Sequence, residues 1–178
     1  MKYISLFLLF AFALLATPSL AQDPANVKAE AEAYYQDRIS REYLDRIYIP
    51  KDIADAFIQL NDLIDDESKK KFLSVDENEA ARKLHFSLGR WMMRNWGFYE
   101  GSRLSHYLRN LGISYPDDMA RFIILTYHRN LRKQPLDVKP LIEGFIQKRE
   151  EDFKSRIEKG EIIHEEKRKR NSVNPEKQ

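Results

Sequence analysis

Apolar residues recur at steps of three or four positions through most of the chain, and this spacing constrains the fold more than any other feature. Within residues 53–64, for example, Ile53, Phe57, Leu60 and Ile64 fall at i, i+4, i+7 and i+11. Such spacing places apolar side chains along one side of an α-helix, whereas the two-residue alternation typical of strands is absent. The sequence therefore predicts an all-α fold, a compact bundle of about five or six helices over residues 49–158.

Capping signals bound several of these helices. Ser102 and Gly112 bracket a short helix over residues 103–110, because serine favours helix starts and glycine favours helix ends. Ser74, followed three residues later by Glu77, matches a capping box. A longer helix is therefore predicted to begin at Ser74.

Pro116-Asp117-Asp118 is predicted to open the most apolar helix, whose apolar residues lie within 119–131. Because its apolar residues lie on most sides, we expect it at the centre of the bundle. Residues 22–48 are predicted to form a charged amphipathic helix with a stripe of Tyr and Ile that reaches Ile47. That stripe needs to be covered, so a homo-oligomer formed through this helix is one expectation.

The first residues carry the pattern of a cleaved secretory signal peptide. Lys2 supplies the positive charge, residues 4–16 form an apolar run, and residues 19–21 offer the small residues that signal peptidase requires. Cleavage is predicted after Ala21. The alternative is an uncleaved anchor, which needs about 20 apolar residues; this run is shorter and Pro18 follows it. We therefore expect a periplasmic or secreted protein with no membrane span after signal cleavage.

Composition narrows the partners and cofactors. The chain has no cysteine, so neither a disulfide nor a cysteine-linked lipid is expected, and the protein is predicted not to be a lipoprotein. The 30 basic and 28 acidic residues give a formal net charge of +2, which predicts no binding to nucleic acid. Residues 159–178, including a basic cluster at 167–170, are predicted to form a charged flexible tail. No histidine pair or acidic loop has metal-site spacing, so neither a metal nor a cofactor is expected.

The densest unusual sequence lies between Leu88 and Arg129 and includes both tryptophans and four of the six glycines. The distinctive segments are Ile49-Pro50-Lys51-Asp52, Leu84-His85, Leu88-Gly89, Trp91, Arg94-Asn95, Trp96-Gly97, Gly101-Ser102-Arg103-Leu104, Pro116-Asp117-Asp118-Met119 and Tyr127-His128-Arg129. Over residues 49–131 this arrangement resembles a bacterial family known as domain of unknown function 6794. Ser114-Tyr115 stands where that family has a histidine before the proline. The resemblance implies a domain boundary near residue 49 and no particular activity.

A candidate binding site comprises Trp91, Arg94, Asn95, Trp96 and Arg103. Tryptophan rings provide flat apolar area, and arginine and asparagine provide fixed hydrogen bonds for a small ligand or a protein. On this interpretation the chain is a non-catalytic binding or protein-interaction module. The alternative interpretation is a tight turn between helices, in which tryptophan fills the core and Asn95 binds loop backbone.

An alternative polar cluster comprises His85, Asp117, Asp118 and His128. A histidine beside an aspartate can act as a general base, so the second functional hypothesis is a hydrolase that uses a His/Asp pair. Against it, the aspartates suit a helix start or an ion pair with Arg103 or Arg121, and no nucleophile motif accompanies them. A His and an Asp within hydrogen-bond distance in an open pocket would favour the hydrolase. Arg103 buried against either aspartate would favour a structural role.

Overall fold

The computed structural model describes residues 23–160 and confirms the all-α prediction. In chain order the elements are α1 (Pro24–Ser40), β1 (Tyr43–Leu44), β2 (Ile47–Tyr48), α2 (Ile53–Leu63), α3 (Asp66–Leu73), α4 (Glu77–Leu84), a π-helical segment (His85–Gly89), α5 (Arg90–Asn95), α6 (Arg103–Asn110), α7 (Pro116–Leu131) and α8 (Val138–Glu158). The predicted signal peptide and nearly all of the predicted tail lie outside the described residues.

The chain divides into two compact units, and the boundary falls within α1, after Tyr34. The described part of the first unit is residues 23–34, all of them exposed. The second unit starts at Tyr35 and contains the hydrophobic core. Between residues 23 and 160, no helix has both the length and the apolar character needed to cross a membrane.

Helix α7 lies at the centre of the second unit, as its apolar composition predicts. It packs against α2, α3, α4, α5, α6 and α8, and nine of its residues are buried. Ile123 and Phe122 are completely buried, and full burial of such a side chain contributes about 1.5–3 kcal/mol. Tyr127 donates a hydrogen bond of 2.9 Å to Asn61 Oδ1, and burial raises the pKa of its phenol to about 12. The core is therefore organised around α7.

The start of α4 differs from the prediction, because Asp76 rather than Ser74 caps the helix. The Asp76 carboxylate accepts hydrogen bonds from the backbone N–H groups of Asn78 and Glu79 at 2.9 and 3.1 Å. Ser74 Oγ donates instead to the carbonyl of Lys71, at the end of α3. A carboxylate at this position also interacts favourably with the helix dipole, which explains why the aspartate is the cap.

The N-terminal helix predicted to reach Ile47 ends at Ser40, and a short β-hairpin follows. In the hairpin Tyr43 pairs with Tyr48 and Leu44 with Ile47. The two turn residues, Asp45 and Arg46, both have positive φ, 49° and 68°, as a tight two-residue hairpin turn requires. The hairpin places Leu44 in the core, which the continuous helix would not.

Helix α4, the π-helical segment and α5 follow one another without a break from Glu77 to Asn95. Counted as one helix, they give six helices between residues 49 and 158, in agreement with the predicted number. In a π-helical turn each N–H bonds to the carbonyl five residues back instead of four, which accommodates one additional residue. Gly97, with φ of +63°, lies just beyond the end of this continuous helix.

Candidate functional site

The tryptophan-rich candidates do not converge on one surface. Trp96 is only 1% exposed, and its ring meets that of Trp91 edge-on with the centroids 5.6 Å apart. Asn95 donates a hydrogen bond of 2.8 Å to the carbonyl of Trp91, and Arg94 is exposed. These positions resemble the alternative interpretation, in which tryptophan fills the core and asparagine binds backbone. A binding role for the set stays a prediction.

Arg103 connects α6 to the β-hairpin. Its Nε donates a hydrogen bond of 2.6 Å to the carbonyl of Ile49. Its guanidinium lies 5.0 Å from the centroid of the Tyr48 ring, a cation–π arrangement, and its Nη2 lies 3.9 Å from Glu42 Oε1. Arg103 is therefore held by the hairpin and not by the aspartates that open α7.

The segment between α5 and α6, residues 96–102, is called the glycine loop below. Gly101 has φ of +100°, and a Cβ there would lie 2.7 Å from two ring carbons of Tyr35. Arg38 Nε donates a hydrogen bond of 2.9 Å to the Gly101 carbonyl. A Cβ on Gly97 would lie 3.0 Å from the Arg38 guanidinium. The end of α1 therefore packs closely on this loop, and the glycines provide the space.

Helix α6 holds the same Tyr35 side chain from a second direction. The Tyr35 hydroxyl lies 3.1 Å from His106 Nδ1 and accepts a hydrogen bond of 3.3 Å from Arg109 Nη1. The Arg109 guanidinium also lies 5.6 Å from the centre of the tyrosine ring. Thus the polar groups beside the glycine loop are engaged by the chain itself.

An open cleft of about 740 Å³ lies between α4, α7 and α8. Its walls are formed by one face of α4, the start of the π-helical segment, the start of α7 and the middle of α8. Most of the side chains that line it are charged, and we call it the charged cleft. Three of the four residues of the predicted polar cluster, His85, Asp117 and Asp118, line it.

His85 and Asp117 contact each other at the wall of the charged cleft. His85 Nε2 lies 3.2 Å from Asp117 Oδ1, and the two side chains are 26% and 55% exposed. The π-helical segment begins at His85, and π-helical turns within α-helices are frequent at functional sites. The geometry is that of a histidine oriented by a carboxylate, with one side open to solvent.

Asp118 lies next in sequence to Asp117 but has a different partner. Its Oδ2 accepts a hydrogen bond of 2.6 Å from Arg149 Nε on α8, which raises the pKa of the Arg149 guanidinium. The same guanidinium lies 4.2 Å from the centroid of the Tyr115 ring. Asp118 therefore ties α7 to α8 at the edge of the cleft.

His128 does not line the charged cleft. Its side chain is buried against Phe72, with ring centroids 4.9 Å apart. His128 Nε2 lies 3.1 Å from the Val75 carbonyl, and its Nδ1 has no hydrogen-bond partner within the described part of the chain. The predicted cluster of four therefore divides into three cleft residues and one core residue.

Sequence reasoning did not select the other residues that line the cleft, among them Arg82, Phe86 and Arg121. Asn78, Arg82 and Phe86 follow one another at four-residue steps, so one helix face carries all three. Phe86 is 74% exposed, the highest value among the exposed large apolar side chains of residues 23–160. The sequence signal that could have indicated the cleft was this spacing, which places two polar residues and a phenylalanine on one helix face.

A second groove, of about 790 Å³, lies between the end of α2, helix α3 and the continuous helix that α4, the π-helical segment and α5 form. Apolar side chains dominate it, including Leu84, Leu88 and the half-buried Trp91. Of the five tryptophan-rich candidates, Trp91 alone lines this groove. In residues 23–160, no group of three or more His, Asp or Glu side chains is placed to hold a metal ion.

Comparison with known proteins gives a match to a domain family. No curated protein and no solved structure matches the chain. The family match covers residues 49–131, which is the range predicted from the sequence motifs. It starts just before α2 and ends with α7, so it includes His85, Asp117 and the glycine loop but not α1 or α8. The family model that matches residues 49–131 is that of a domain of unknown function, DUF6794.

Proposed function

We propose that the protein is an exported, non-catalytic binding module and that the charged cleft holds its ligand. The observation that carries the proposal is the cleft, about 740 Å³ of open space between three helices. This volume is typical of small-molecule sites, which span roughly 300–1,000 Å³. The His85–Asp117 contact and the exposed Phe86 ring supply fixed polar and apolar surfaces for a ligand.

The chemistry of the cleft walls favours binding over covalent catalysis. Among residues 23–160, none of the side chains that line the cleft carries a hydroxyl or a thiol. Hydrolysis that proceeds through a serine, threonine or cysteine nucleophile needs such a group next to a base. Asp118 is also engaged by Arg149 at 2.6 Å, so it is not free to act as a second acid or base.

A retention experiment tests the binding proposal. Purified protein is incubated with a small-molecule extract of the native cell envelope, and the retained compounds are identified by mass spectrometry. Phe86→Ala removes exposed cleft surface, and Ile58→Ala removes a comparably exposed apolar side chain outside the cleft (74% and 58% exposed). We expect a compound retained by the native protein and by Ile58→Ala but not by Phe86→Ala. Equal retention by all three would place the ligand elsewhere, and no retained compound would contradict a small-molecule module.

Export is supported by the charged, apolar and small-residue segments of residues 1–21. The protein is accordingly proposed to act in the periplasm or outside the cell. Expression in the native host, followed by cell fractionation and mass determination, tests this. A chain that begins at Gln22 and is found outside the cytoplasm is expected. A full-length chain in the cytoplasm would contradict export.

A hydrolase is the second candidate, because His85 and Asp117 lie 3.2 Å apart in an open pocket. This is within hydrogen-bond distance, as a histidine general base and its orienting carboxylate require. Here His85 would take a proton from water and Asp117 would orient the imidazole. Activity is assayed on ester, phosphoester and glycoside substrates with His85→Asn, Asp117→Asn and, as a control, Asp66→Asn, whose side chain is 91% exposed on α3. Loss in the first two variants alone would favour the enzyme; no activity in the native protein on any substrate would reject it for these classes.

Self-association through the N-terminal helix stays a prediction. None of the residues of α1 is buried in the monomer, and Val27 is 46% exposed. Light scattering of the native protein and of Val27→Asp tests it. A dimer that the substitution dissociates is expected, and a monomeric native protein would contradict it.

A further inference from the structure

We infer that the ligand of the charged cleft carries an anionic group, a carboxylate or a phosphate, held by Arg82 and Arg121, and an apolar portion that packs on Phe86. This inference rests on the proposed binding function and specifies its ligand class. It depends on which charges of the cleft are already paired, on the positions of the two arginines and on the exposed ring beside them.

The carboxylates of the cleft are engaged by partners within the protein. Asp118 binds Arg149 at 2.6 Å, and Asp152 binds Lys148 at 3.3 Å. Glu79 binds Lys83 at 2.6 Å. The remaining two are Asp76, which caps α4, and Asp117, which contacts His85. The pairing uses Lys148 and Arg149 and leaves the cations of Arg82 and Arg121.

Neither remaining arginine is paired with a carboxylate in the described residues. Arg121 Nη2 reaches only the side-chain oxygen of Asn78, at 3.5 Å, and its guanidinium lies 5.9 Å from the centre of the Phe145 ring. The Arg82 side chain is exposed and forms no hydrogen bond or ion pair with residues 23–160. Two guanidinium groups in one cleft therefore keep their donors available.

Two contacts between α4 and α7 define where Arg82 lies. Asn78 meets Arg121, and His85 meets Asp117. The residue numbers rise on one helix as they fall on the other, so the helices run antiparallel along the cleft. Arg82 lies four residues after Asn78 and three before His85, on the same face of α4. It is therefore positioned between the two contacts, and it lines the same cleft as Arg121.

Such a pair of arginines selects the chemical class of the ligand. The planar guanidinium offers a rigid fork of N–H donors that matches the two oxygens of a carboxylate or a phosphate. Phe86 lies four residues after Arg82, about one helical turn away, and is 74% exposed. A ligand with an anionic group and a neighbouring ring or short apolar chain would contact both and would cover that ring.

Titrations followed by NMR of the backbone amides and the arginine Nε–H groups test the inference. The probes are phenyl phosphate and phenylacetate, which separate the two anion classes, and phenol, which is neutral. Arg82→Gln and Arg121→Gln are compared with Arg90→Gln, an exposed arginine on α5 that does not line the cleft. We expect at least one anion to bind saturably in the cleft, about tenfold more weakly in each cleft variant, as loss of a charged hydrogen bond implies, and unchanged in Arg90→Gln.

The outcomes separate this inference from the proposed function. If phenol binds in the cleft as tightly as the anions and the arginine variants have no effect, the binding module stands and the anionic class is wrong. If neither anion shifts cleft resonances saturably, the anionic class is also wrong, and the proposed function is then judged by the envelope extract and Phe86→Ala. Melting temperatures of the three variants, expected to equal that of the native protein, show that each is folded.

Discussion

The glycine loop and the charged cleft differ in how much of their chemistry the protein uses for itself. In the loop, Gly101 accommodates the Tyr35 ring and accepts a hydrogen bond from Arg38 through its carbonyl. In the cleft, Arg82 and Arg121 are left without carboxylate partners among the described residues. The loop contains the rarer residue types, yet the cleft has the open space. Unusual residues here indicate close packing, whereas a site is indicated by polar groups that the fold leaves available.

The largest expected effect is a loss of stability on substitution of Trp96, which tests whether this residue belongs to the core or to a binding site. Because this side chain is 1% exposed, Trp96→Ala should lower the free energy of unfolding by about 3–5 kcal/mol. Urea denaturation measures the change. A stable Trp96→Ala protein that has lost ligand binding would restore the loop as the binding site and reverse the comparison.

A smaller loss is expected when the close approach within the glycine loop is disturbed. Gly101→Ala places a Cβ 2.7 Å from the Tyr35 ring at a φ of +100° and should cost about 1–3 kcal/mol. Gly144→Ala is the matched control, because nothing lies within 4 Å of the added Cβ at this exposed position of α8. There alanine should stabilise by about 0.5–1 kcal/mol. Equal effects in thermal unfolding would show that α1 does not pack tightly on the loop.

Acid should weaken the start of α4, the helix that forms one wall of the cleft. Arg129 binds Glu77 at 2.6 Å at the start of α4, and this hydrogen bond lowers the pKa of the Glu77 carboxyl. The stabilisation is therefore present above the unfolded-state pKa of about 4.3 and is lost as the pH falls through the lower folded-state value.

The matched variants for this pair are Glu77→Gln and Glu79→Gln. At pH 7 Glu77→Gln should cost about 1–2 kcal/mol and should weaken the loss of stability in acid. Glu79 forms a helix-surface pair with Lys83, and its substitution should cost about 0.3–0.5 kcal/mol. Urea denaturation at pH 7 and below pH 4 measures both. An unchanged acid dependence in Glu77→Gln would remove this pair as its source.

The smallest effects are expected in the cleft itself. Phe86→Ala and Arg82→Gln remove exposed side chains and should change the free energy of unfolding by less than about 0.5 kcal/mol. Calorimetry of the two variants measures this. A loss above about 2 kcal/mol in either would show that the cleft side chain is structural, and the contrast with the loop would disappear.

Local signals in the sequence were sufficient for the helices with clear ends. Ser102 caps α6, as predicted, and α7 begins at Pro116. The hairpin was missed because its turn, Asp45-Arg46, contains neither glycine nor asparagine, the residues that normally indicate positive φ. At Ser74 the capping-box pattern was misleading, since Glu77 is engaged by Arg129, 52 residues away.

The candidate site was only partly accessible from sequence. His85 and Asp117 were selected as residue types that can act together, and their distance of 3.2 Å follows from the antiparallel packing of two helices. The α8 wall of the cleft could not be predicted, because Arg149 meets Asp118 only after α8 folds back across α7. Side-chain availability depends on every such pairing, so it is a property of the tertiary fold.

The π-helical segment limits which changes in length this protein can tolerate. Its extra residue is equivalent to a one-residue insertion in an otherwise regular helix, and each residue of an α-helix turns the chain by about 100°. Deleting one residue within His85–Gly89 would regularise the helix but rotate α5 relative to α4 by about that angle. Met92, Met93 and Trp96, now buried, would leave the core while Asn78 and Arg82 kept their places. The one extra residue of the π-helical segment thus sets the rotation of α5 relative to α4, and with it which side chains line the cleft and which fill the core.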